Sequence, residues 1–418
     1  MKTLLRAAAL CGLVWCGSVG LWAQAVKPLA DSGGAARERR AAIDKTIQQM
    51  QAERQEFGDG DWSKWYDRLL PFRDDLRKRV VAAVTRARFI DGPWDTPTGL
   101  IEAAGDPPLY ESAGDDVYLS EPGNLEAWFK QREAPATIRR FAQWLKARDI
   151  ELILAPVPKV GEMYPDRVSA YAPSERIVAP QLRKLAFDLL KDDIEVVDLL
   201  PRYLAAREED SATLAFPDDP HWSPRGQQIA VTAILERLQR YQFVKDALAK
   251  PPLYHTKPFS GPVKGAWQAS AMRPFQIHRI RNYSNWTGQQ VLDAKNQPFA
   301  AANYSEVILI SDSYGTALNV MLAQGVGFDA HLSKGMNLPV ATMALPDNTV
   351  GSIKDLVRNP DLLRKCKVVV WLVRNSGISK TEGWSLPPLP AAGATLMERP
   401  QRQAQLASTA EAARASLW

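Results

Sequence analysis

Cysteine and histidine are scarce in this chain. Among 418 residues there are three cysteines, Cys11, Cys16 and Cys366, and four histidines, His221, His255, His278 and His331. Cys11 and Cys16 fall in an N-terminal targeting segment, which leaves Cys366 alone and excludes an internal disulfide in the mature fold. No Cys/His group has metal-ligand spacing, so no metal site and no cofactor are expected. Charge of one sign is also lacking. The formal net charge is +5, and removing Lys2 and Arg6 brings it to +3 (5 − 2). That is too small and too dispersed to argue for nucleic acid. Past the N-terminus, no stretch is apolar enough to cross a membrane.

Lys2 and Arg6 precede a largely apolar run from Ala7 to Trp22, followed by Ala23-Gln-Ala25. Basic start, apolar middle and small-residue exit are the three parts of a secretory signal, with cleavage after Ala25. The run is nearly long enough to span a bilayer, so an uncleaved anchor in the inner membrane is the alternative. The bulky Trp15 before Cys16 argues against a lipoprotein. Either way the mature chain is expected in the periplasm or another extracytoplasmic space.

Four parts are expected: residues 1–25 as signal or anchor, 26–90 as a helical extension, 91–376 as the main domain and 377–418 as a disordered tail. In the extension Ile43, Ile47, Met50 and Phe57 share one helical face. Trp62, Trp65 and Tyr66 form an aromatic cluster; stacking on sugar is one use, core packing the commoner one. Turn residues from Asp91-Gly-Pro93 to Pro108 mark the boundary. The main domain then alternates. A helical stripe runs through Leu125, Trp128, Phe129, Ile138, Phe141, Trp144 and Leu145, and Pro135 is where it would split. Strands are expected over Ile150–Val157, Ile194–Leu199, 306–310 and 367–373, with helices over Ser174–Leu190, Pro224–Tyr241 and 316–323. Residues Pro251–Pro298 read as irregular. Strand–helix alternation implies an α/β fold of three layers with a mostly parallel central sheet. From Ser376 onward Pro, Ala, Gln and Ser dominate.

Two stretches carry chemistry. In Glu306-Val-Ile-Leu-Ile-Ser-Asp-Ser-Tyr-Gly-Thr316 an apolar run, as of a strand buried on both faces, breaks into small residues before a helix. That puts Ser313 at the carboxyl edge of a sheet, where open α/β folds bind ligands. In Phe216-Pro-Asp-Asp-Pro-His-Trp-Ser-Pro-Arg-Gly226, Asp219 lies two residues before His221. An extended segment lets the two share a side, so the carboxylate can hold the imidazole tautomer. Ser223 and Pro224 read as N-cap and first helical residue. Each feature alone has a bland reading: a capping serine, a satisfied loop pair. Asp312 is expected to fasten the turn and Trp222 to pack beneath His221. His255, His278 and His331 have no evident partner. Asp-x-His also opens a dinuclear metallophosphoesterase signature, but the further Asp, Asn and His ligand blocks are missing.

The Asp-x-His-Trp block upstream of a strand–Ser-Asp-Ser-Tyr–helix resembles the SGNH-hydrolase-like domain of the alginate O-acetyltransferases AlgJ and AlgX. Leu152-Ile-Leu-Ala-Pro-Val-Pro-Lys159 with Tyr164-Pro165, and Lys367-Val-Val-Val-Trp371, fit the same resemblance, which covers roughly residues 90 to 376. Two departures are Ser311, where a glycine is usual before Asp-Ser, and Leu-Val-Arg-Asn after Trp371. In ordinary SGNH hydrolases the serine comes first and the Asp/His pair last; this family reverses the order. AlgX-like members also carry a C-terminal carbohydrate-binding module, and no such domain fits here.

The resemblance implies an SGNH-hydrolase-like fold and an O-acetyltransferase acting on an alginate-like or other exopolysaccharide. Ser313 would be the nucleophile, His221 the base and Asp219 its orienter. The Ser313 N–H is the default oxyanion donor, with Tyr314 or Gly315 contributing. Asn337, Asn348 and Asn375 are alternative side-chain donors, and Arg374 either faces the site or is a surface residue. The resemblance further implies a membrane-bound O-acyltransferase partner that supplies acetyl groups. Two other readings stand beside it: a secreted carbohydrate or lipid esterase with the same triad, and a non-catalytic polysaccharide-binding scaffold.

Overall fold

The computed structural model describes residues 32–56, 67–75, 78, 109–113, 116–120, 134–174, 176–209, 213–216, 221–263, 285–345, 349–379 and 383–390. The signal segment, Phe57, Trp62, Trp65, Tyr66, Leu125, Trp128, Phe129, Asp219, His278 and Asn348 lie outside them.

The longest described helix is α1, Ser32–Glu56; after it in the chain comes a hairpin of β1, Leu109–Ala113, and β2, Asp116–Ser120. Helix α2, Ala134–Lys146, leads into β3, Glu151–Val157; α3, Pro180–Lys191, leads into β4, Glu195–Val196. Next come α4, Leu200–Glu209, α5, Pro224–Leu238, and α6, Gln242–Leu248. A second hairpin pairs β5, Tyr254–Pro262, with β6, Asn285–Asp293. The chain then runs through β7, Val307–Ser311, α7, Phe328–Met336, β8, Ala341–Ala344, α8, Thr349–Arg358, and β9, Val368–Arg374.

Five strands form one parallel sheet in the order β4-β3-β9-β7-β8. Every residue of β7 and β9 is buried, as a strand covered on both faces requires. Side chains alternate between two cores. Ile153, Ala155, Val307, Leu309, Val368 and Val370 face α5 and α7. Leu152, Leu154, Ile308, Ile310, Val369 and Trp371 face α2, α3 and α8. Ile43 and Met50 of α1 join that second core, with Ile47 packed on it. The three layers and the helical extension expected from the sequence are therefore present.

Read from the opposite edge and renumbered from β7, the sheet order is 2-1-3-4-5, the flavodoxin-like winding. The chain thus enters this winding at its fourth strand. The serine strand, first in the winding, comes third in the chain, and the histidine loop follows the last strand of the winding instead of the last in sequence. The reversed order of the two blocks is a cyclic relabelling of one sheet.

Several boundaries differ from the sequence reading for local reasons. Helix α3 starts at Pro180, because a residue before proline is pushed out of the helical region and proline suits the first helical position. Strand β4 is two residues long, since Pro201 opens α4 soon after. The described parts of Pro251–Pro298, residues 251–263 and 285–298, are not irregular. Nine residue pairs join β5 to β6 in register, and only Pro258 and Pro262 break the pattern that would signal strands, as an edge ribbon tolerates. Phe259 and Trp286 anchor this ribbon on the first core.

The expected disorder after residue 376 gives way over 383–390. Trp384 is buried against Trp371, their ring centroids 6.0 Å apart. Its carbonyl accepts from Thr137 Oγ1, and the Pro390 carbonyl accepts from Trp144 Nε1 at 2.9 Å. A proline-rich segment without regular structure needs no internal ladder when its carbonyls find side-chain donors, and composition does not reveal that. Trp384→Ala would leave a cavity over β9, so thermal or urea unfolding should show a loss of about 3 kcal/mol. A loss below about 1 kcal/mol would mean that this segment is not part of the core.

Candidate active site

The carboxyl ends of β3, β9 and β7 lie side by side, because Val157 pairs with Arg374 and Ser311 with Leu372. Each strand delivers its next residues to one edge: Lys159 and Glu162, Arg374 and Asn375, Asp312 and Ser313. In the renumbered winding, β7 and β9 flank the point where the order reverses, the place where such sheets bind ligands.

After β7 the chain turns tightly through Ser313–Gly315 and continues as the short helix Ala317–Met321. Asp312 is the N-cap: its Oδ1 accepts from Tyr314 N at 3.0 Å. Its Oδ2 accepts from Arg374 N at 3.1 Å and pairs with Arg374 Nε at 3.4 Å. Burial pushes the Asp312 carboxyl above its ordinary value, and the arginine and the two backbone donors oppose that shift. Asp312 thus fastens the turn, and Arg374 is a buried partner facing the site, not a surface residue.

His221 arrives on a separate scaffold. Leu214–Phe216 runs antiparallel to His221–Ser223: Phe216 N donates to His221 O at 3.0 Å and Ser223 N to Leu214 O at 2.9 Å. Tyr164 Oη accepts from Leu214 N at 2.8 Å, tying this turn to the chain after β3. Ser223 caps α5 through Gly226 N at 3.2 Å, with Pro224 in the first turn. Gly226 is required there, since a Cβ would lie 2.0 Å from Leu214 O. Behind the imidazole stands an aromatic wall. The Tyr314 ring lies 4.9 Å from His221 and edge-on to Trp222, which stacks on Phe328 at 5.5 Å. So held, His221 Nε2 lies 2.8 Å from Ser313 Oγ, across 92 residues of chain. Both side chains are buried, at 7% and 8% exposure, yet keep some solvent access.

The other expected site residues divide. Tyr314 is at the site, but its N–H belongs to Asp312, so its contribution is the ring against His221. Gly315 is present for its size, not as a donor: its N–H turns back to Asp312 O, and a Cβ would lie 2.1 Å from Ser311 Oγ. Serine at 311 leaves no room for any other residue at 315. Asn337 is excluded as an oxyanion donor. It closes α7 in the left-handed conformation, accepts from Leu253 N at 2.6 Å and donates to Ala247, Lys250 and Pro251 carbonyls. That cap consumes its whole amide. Asn375 does lie at the edge, next to Arg374. Asp219, two residues before His221, and Asn348 are outside the described residues.

Glu162 was not among the residues expected. It sits in the one-turn helix Val160–Met163 after β3, 2% exposed, and its Oε2 accepts from Asn375 Nδ2 at 2.6 Å. Burial raises its carboxyl to about 7, against the pull of Lys159 and the Asn375 bond. The sequence signal was one carboxylate inside the apolar turn Val160-Gly-Glu-Met163, directly after a buried strand. Among the described residues no group of His, Cys, Asp and Glu could hold a metal ion.

A carboxyl raised on folding binds its proton more tightly in the native state than in the unfolded chain. Stability therefore falls as pH climbs from the ordinary carboxyl range through about 7. Glu162→Gln removes that slope. Melting curves of both proteins at pH 5 and pH 8 should show the variant gaining relative to wild type at the higher pH. A constant difference across that range would show that Glu162 does not titrate differently on folding.

Residues 121–374, more than half of the chain, match the family model described as the SGNH hydrolase-like domain of the acetyltransferase AlgX. Among solved structures, the O-acetyltransferase domain of Pseudomonas putida AlgJ superposes with a TM-score of 0.50 at 18% identity, covering 68% of this chain and 96% of that one. Pseudomonas aeruginosa AlgX gives 0.44 at 16% identity, over 63% and 62% of the two chains. Bacillus cereus PatB1 gives 0.41 at 11%, over 66% and 100%. At these identities the AlgJ likeness speaks for the fold alone. No curated protein matches the sequence. On the family match and the sheet that bears it out, this chain belongs to the SGNH hydrolase-like acetyltransferase domains of the AlgX family.

Proposed function

We propose that this chain is an exported O-acetyltransferase that moves acetyl groups onto hydroxyls of an extracytoplasmic polysaccharide, alginate-like or of another kind. The observation that carries the reading is the 2.8 Å contact of Ser313 Oγ with His221 Nε2, at the switch point of a domain of this family. Supporting export, the N-terminus has the composition of a signal segment. The acetyl supplier is proposed to be a membrane-bound O-acyltransferase.

Ser313 Oγ attacks the acetyl carbonyl of the donor while its proton passes to His221 Nε2. The tetrahedral oxyanion meets the Ser313 N–H, one of the orphan donors at the start of the turn. Collapse expels the donor's leaving group, which takes the proton from His221 and leaves an acetyl ester on Ser313. A sugar hydroxyl then attacks that ester, giving its proton to His221, and Ser313 leaves with it. Asp219 holds the imidazole tautomer in this reading. Water entering in place of the sugar gives hydrolysis, so acceptor access separates transferase from esterase.

Mass spectrometry of oligosaccharide and protein after incubation with a chromogenic acetyl ester tests the chemistry. Ser313→Ala should stay folded, carry no acetyl group and lose transfer by at least about 1,000-fold. His221→Ala should lose turnover to a similar degree, and Asp219→Asn should lose less, because no reacting group is deleted. Transfer at the wild-type rate by folded Ser313→Ala would sink the mechanism and favour a polysaccharide-binding scaffold. Ester release with no acetylated sugar would favour the esterase.

A further inference from the structure

One aromatic side chain is not accounted for by packing alone. Trp286 of β6 is half-buried; its ring meets Phe216 at 4.7 Å between centroids, with the planes at 89°. An indole N–H can only donate, and a buried one usually finds an acceptor. Among the described residues nothing accepts from Trp286 Nε1, and that nitrogen is not buried. The neighbouring ring has an explanation that Trp286 lacks. Phe259 lies over Gly261, where a Cβ would come within 2.8 Å of Phe259 Cζ, and so covers backbone that glycine leaves bare. The register pairs Gly261 with Trp286 and Phe259 with Gly288. The two rings therefore share one face of the ribbon, and neither has a side chain directly across the ladder.

Two registers place Trp286 relative to the reacting groups. Ala215 bridges Trp222, so Phe216 stands directly opposite His221 and their side chains leave on the same face. Phe216 thus links the imidazole to the indole. Further along β6, Gly288 touches both catalytic scaffolds. A Cβ there would lie 3.4 Å from Pro224 Cβ on the histidine side and 3.9 Å from Val326 Cγ1 on the serine side. Gln290 Nε2 then donates to Gln324 O at 2.7 Å, and Val291 N to Gly325 O at 2.8 Å. Gly325 has φ +88°, and a Cβ there would lie 2.5 Å from Val291 O, so this contact requires glycine. The ribbon is fastened to both scaffolds, and its aromatic end lies beside the histidine turn.

We propose that Trp286 is an acceptor-binding residue, taking a pyranose of the polysaccharide close to the sugar whose hydroxyl attacks the acetyl ester. This rests on the acetyl-transfer reading. A pyranose offers a C–H face to an aromatic ring and hydroxyl oxygens that accept from an indole N–H. Water offers no such face. Trp286 therefore favours sugar over water at the acetyl-enzyme, the step that separates transferase from esterase.

The test measures how the acetyl-enzyme divides between the two acceptors. Full-length wild type, Trp286→Leu, Trp286→Phe and Tyr164→Phe receive p-nitrophenyl acetate with limiting alginate or cello-hexasaccharide. Nitrophenol release and acetylated sugar are measured in the same mixtures. Sugar and water compete for one ester and use the same base, so their ratio cancels any loss in forming that ester or in placing His221. Trp286→Leu keeps an apolar side chain on Phe216 but has no ring face. It should lower the ratio of acetylated sugar to acetate by about 10-fold, with Trp286→Phe within about 3-fold of wild type. Tyr164→Phe removes the other brace of the histidine turn, so both products should fall together at an unchanged ratio. A wild-type ratio in Trp286→Leu, or an equal fall in Tyr164→Phe, would overturn the proposal. Should Trp286→Leu fail to fold, fluorine NMR of the 5-fluorotryptophan-labelled chain decides. The signal that Trp286→Phe removes should shift when hexasaccharide is added to the labelled wild-type chain, and a signal that stays in place would overturn the proposal too. A wild type that acetylates neither sugar brings down the transfer reading and this proposal together. Transfer that depends on Ser313 but is insensitive to residue 286 brings down only the proposal.

Discussion

The double attachment of Asp312 is the constraint on which the site depends. One carboxylate oxygen holds the N–H of Tyr314 within its own turn; the other holds the N–H and guanidinium of Arg374 at the end of the neighbouring strand. Without that bridge the serine would ride on an untethered strand–helix turn. With it, Ser313 is referenced to the middle of a parallel sheet, and the Tyr314 ring is turned against His221. A charge-assisted hydrogen bond is roughly twice as strong as a neutral one. A buried carboxylate with two such hydrogen bonds and an ion pair fixes a nucleophile within the small tolerance that acyl transfer demands.

Buried charge is used differently elsewhere in the domain. Arg240 closes bidentately on Glu195, where the Tyr241 hydroxyl also bonds Glu151. Arg183 of α3 grips Glu53 of α1 and Asp198 after β4. With Arg39 of α1 on Asp193, these pairs clamp the N-terminal helix over the β4 edge of the sheet. An edge strand covered in this way is closed to pairing with other chains. Such pairs add modest net stability, since desolvation cancels most of the attraction. Their geometry fixes where α1 lies, complementing the non-directional contacts of Ile43 and Met50.

The winding of the sheet explains why two distant blocks meet. The serine strand is first in the winding and lies inside the sheet beside the middle strand β9; the histidine loop leaves the edge strand β4 and returns on Leu214–Phe216. Tyr164 and Trp286 brace that return from two sides, the first through its hydroxyl to Leu214 N and the second edge-on to Phe216 at 4.7 Å. Groups from β3, β6, β7 and β9 thus set the approach of imidazole to hydroxyl.

Much of this was legible in the residues. Buried strands of parallel sheets are runs of Val, Ile and Leu, so β3, β7 and β9 stand out, and the small residues after β7 mark the turn that carries Ser313. Ser223-Pro224 announces the start of α5, and Asp312 its capping role, because these signals act within one or two residues. The ribbon of β5 and β6 was not legible: Pro258 and Pro262 interrupt the pattern within β5, and its stability comes from pairing across a long connection and from two aromatics laid on a distant core. The same holds for 383–390, whose carbonyls are satisfied by side chains of α2 far back in sequence. Asn337 and Asn375 look alike as letters, yet one is spent on a left-handed helix cap and the other faces Glu162. Residue types and short-range spacing determined which groups have the chemistry. The packing of strands whose order in space differs from their order in the chain decided which of them meet, because hydrogen bonds and burial are satisfied between neighbours in space.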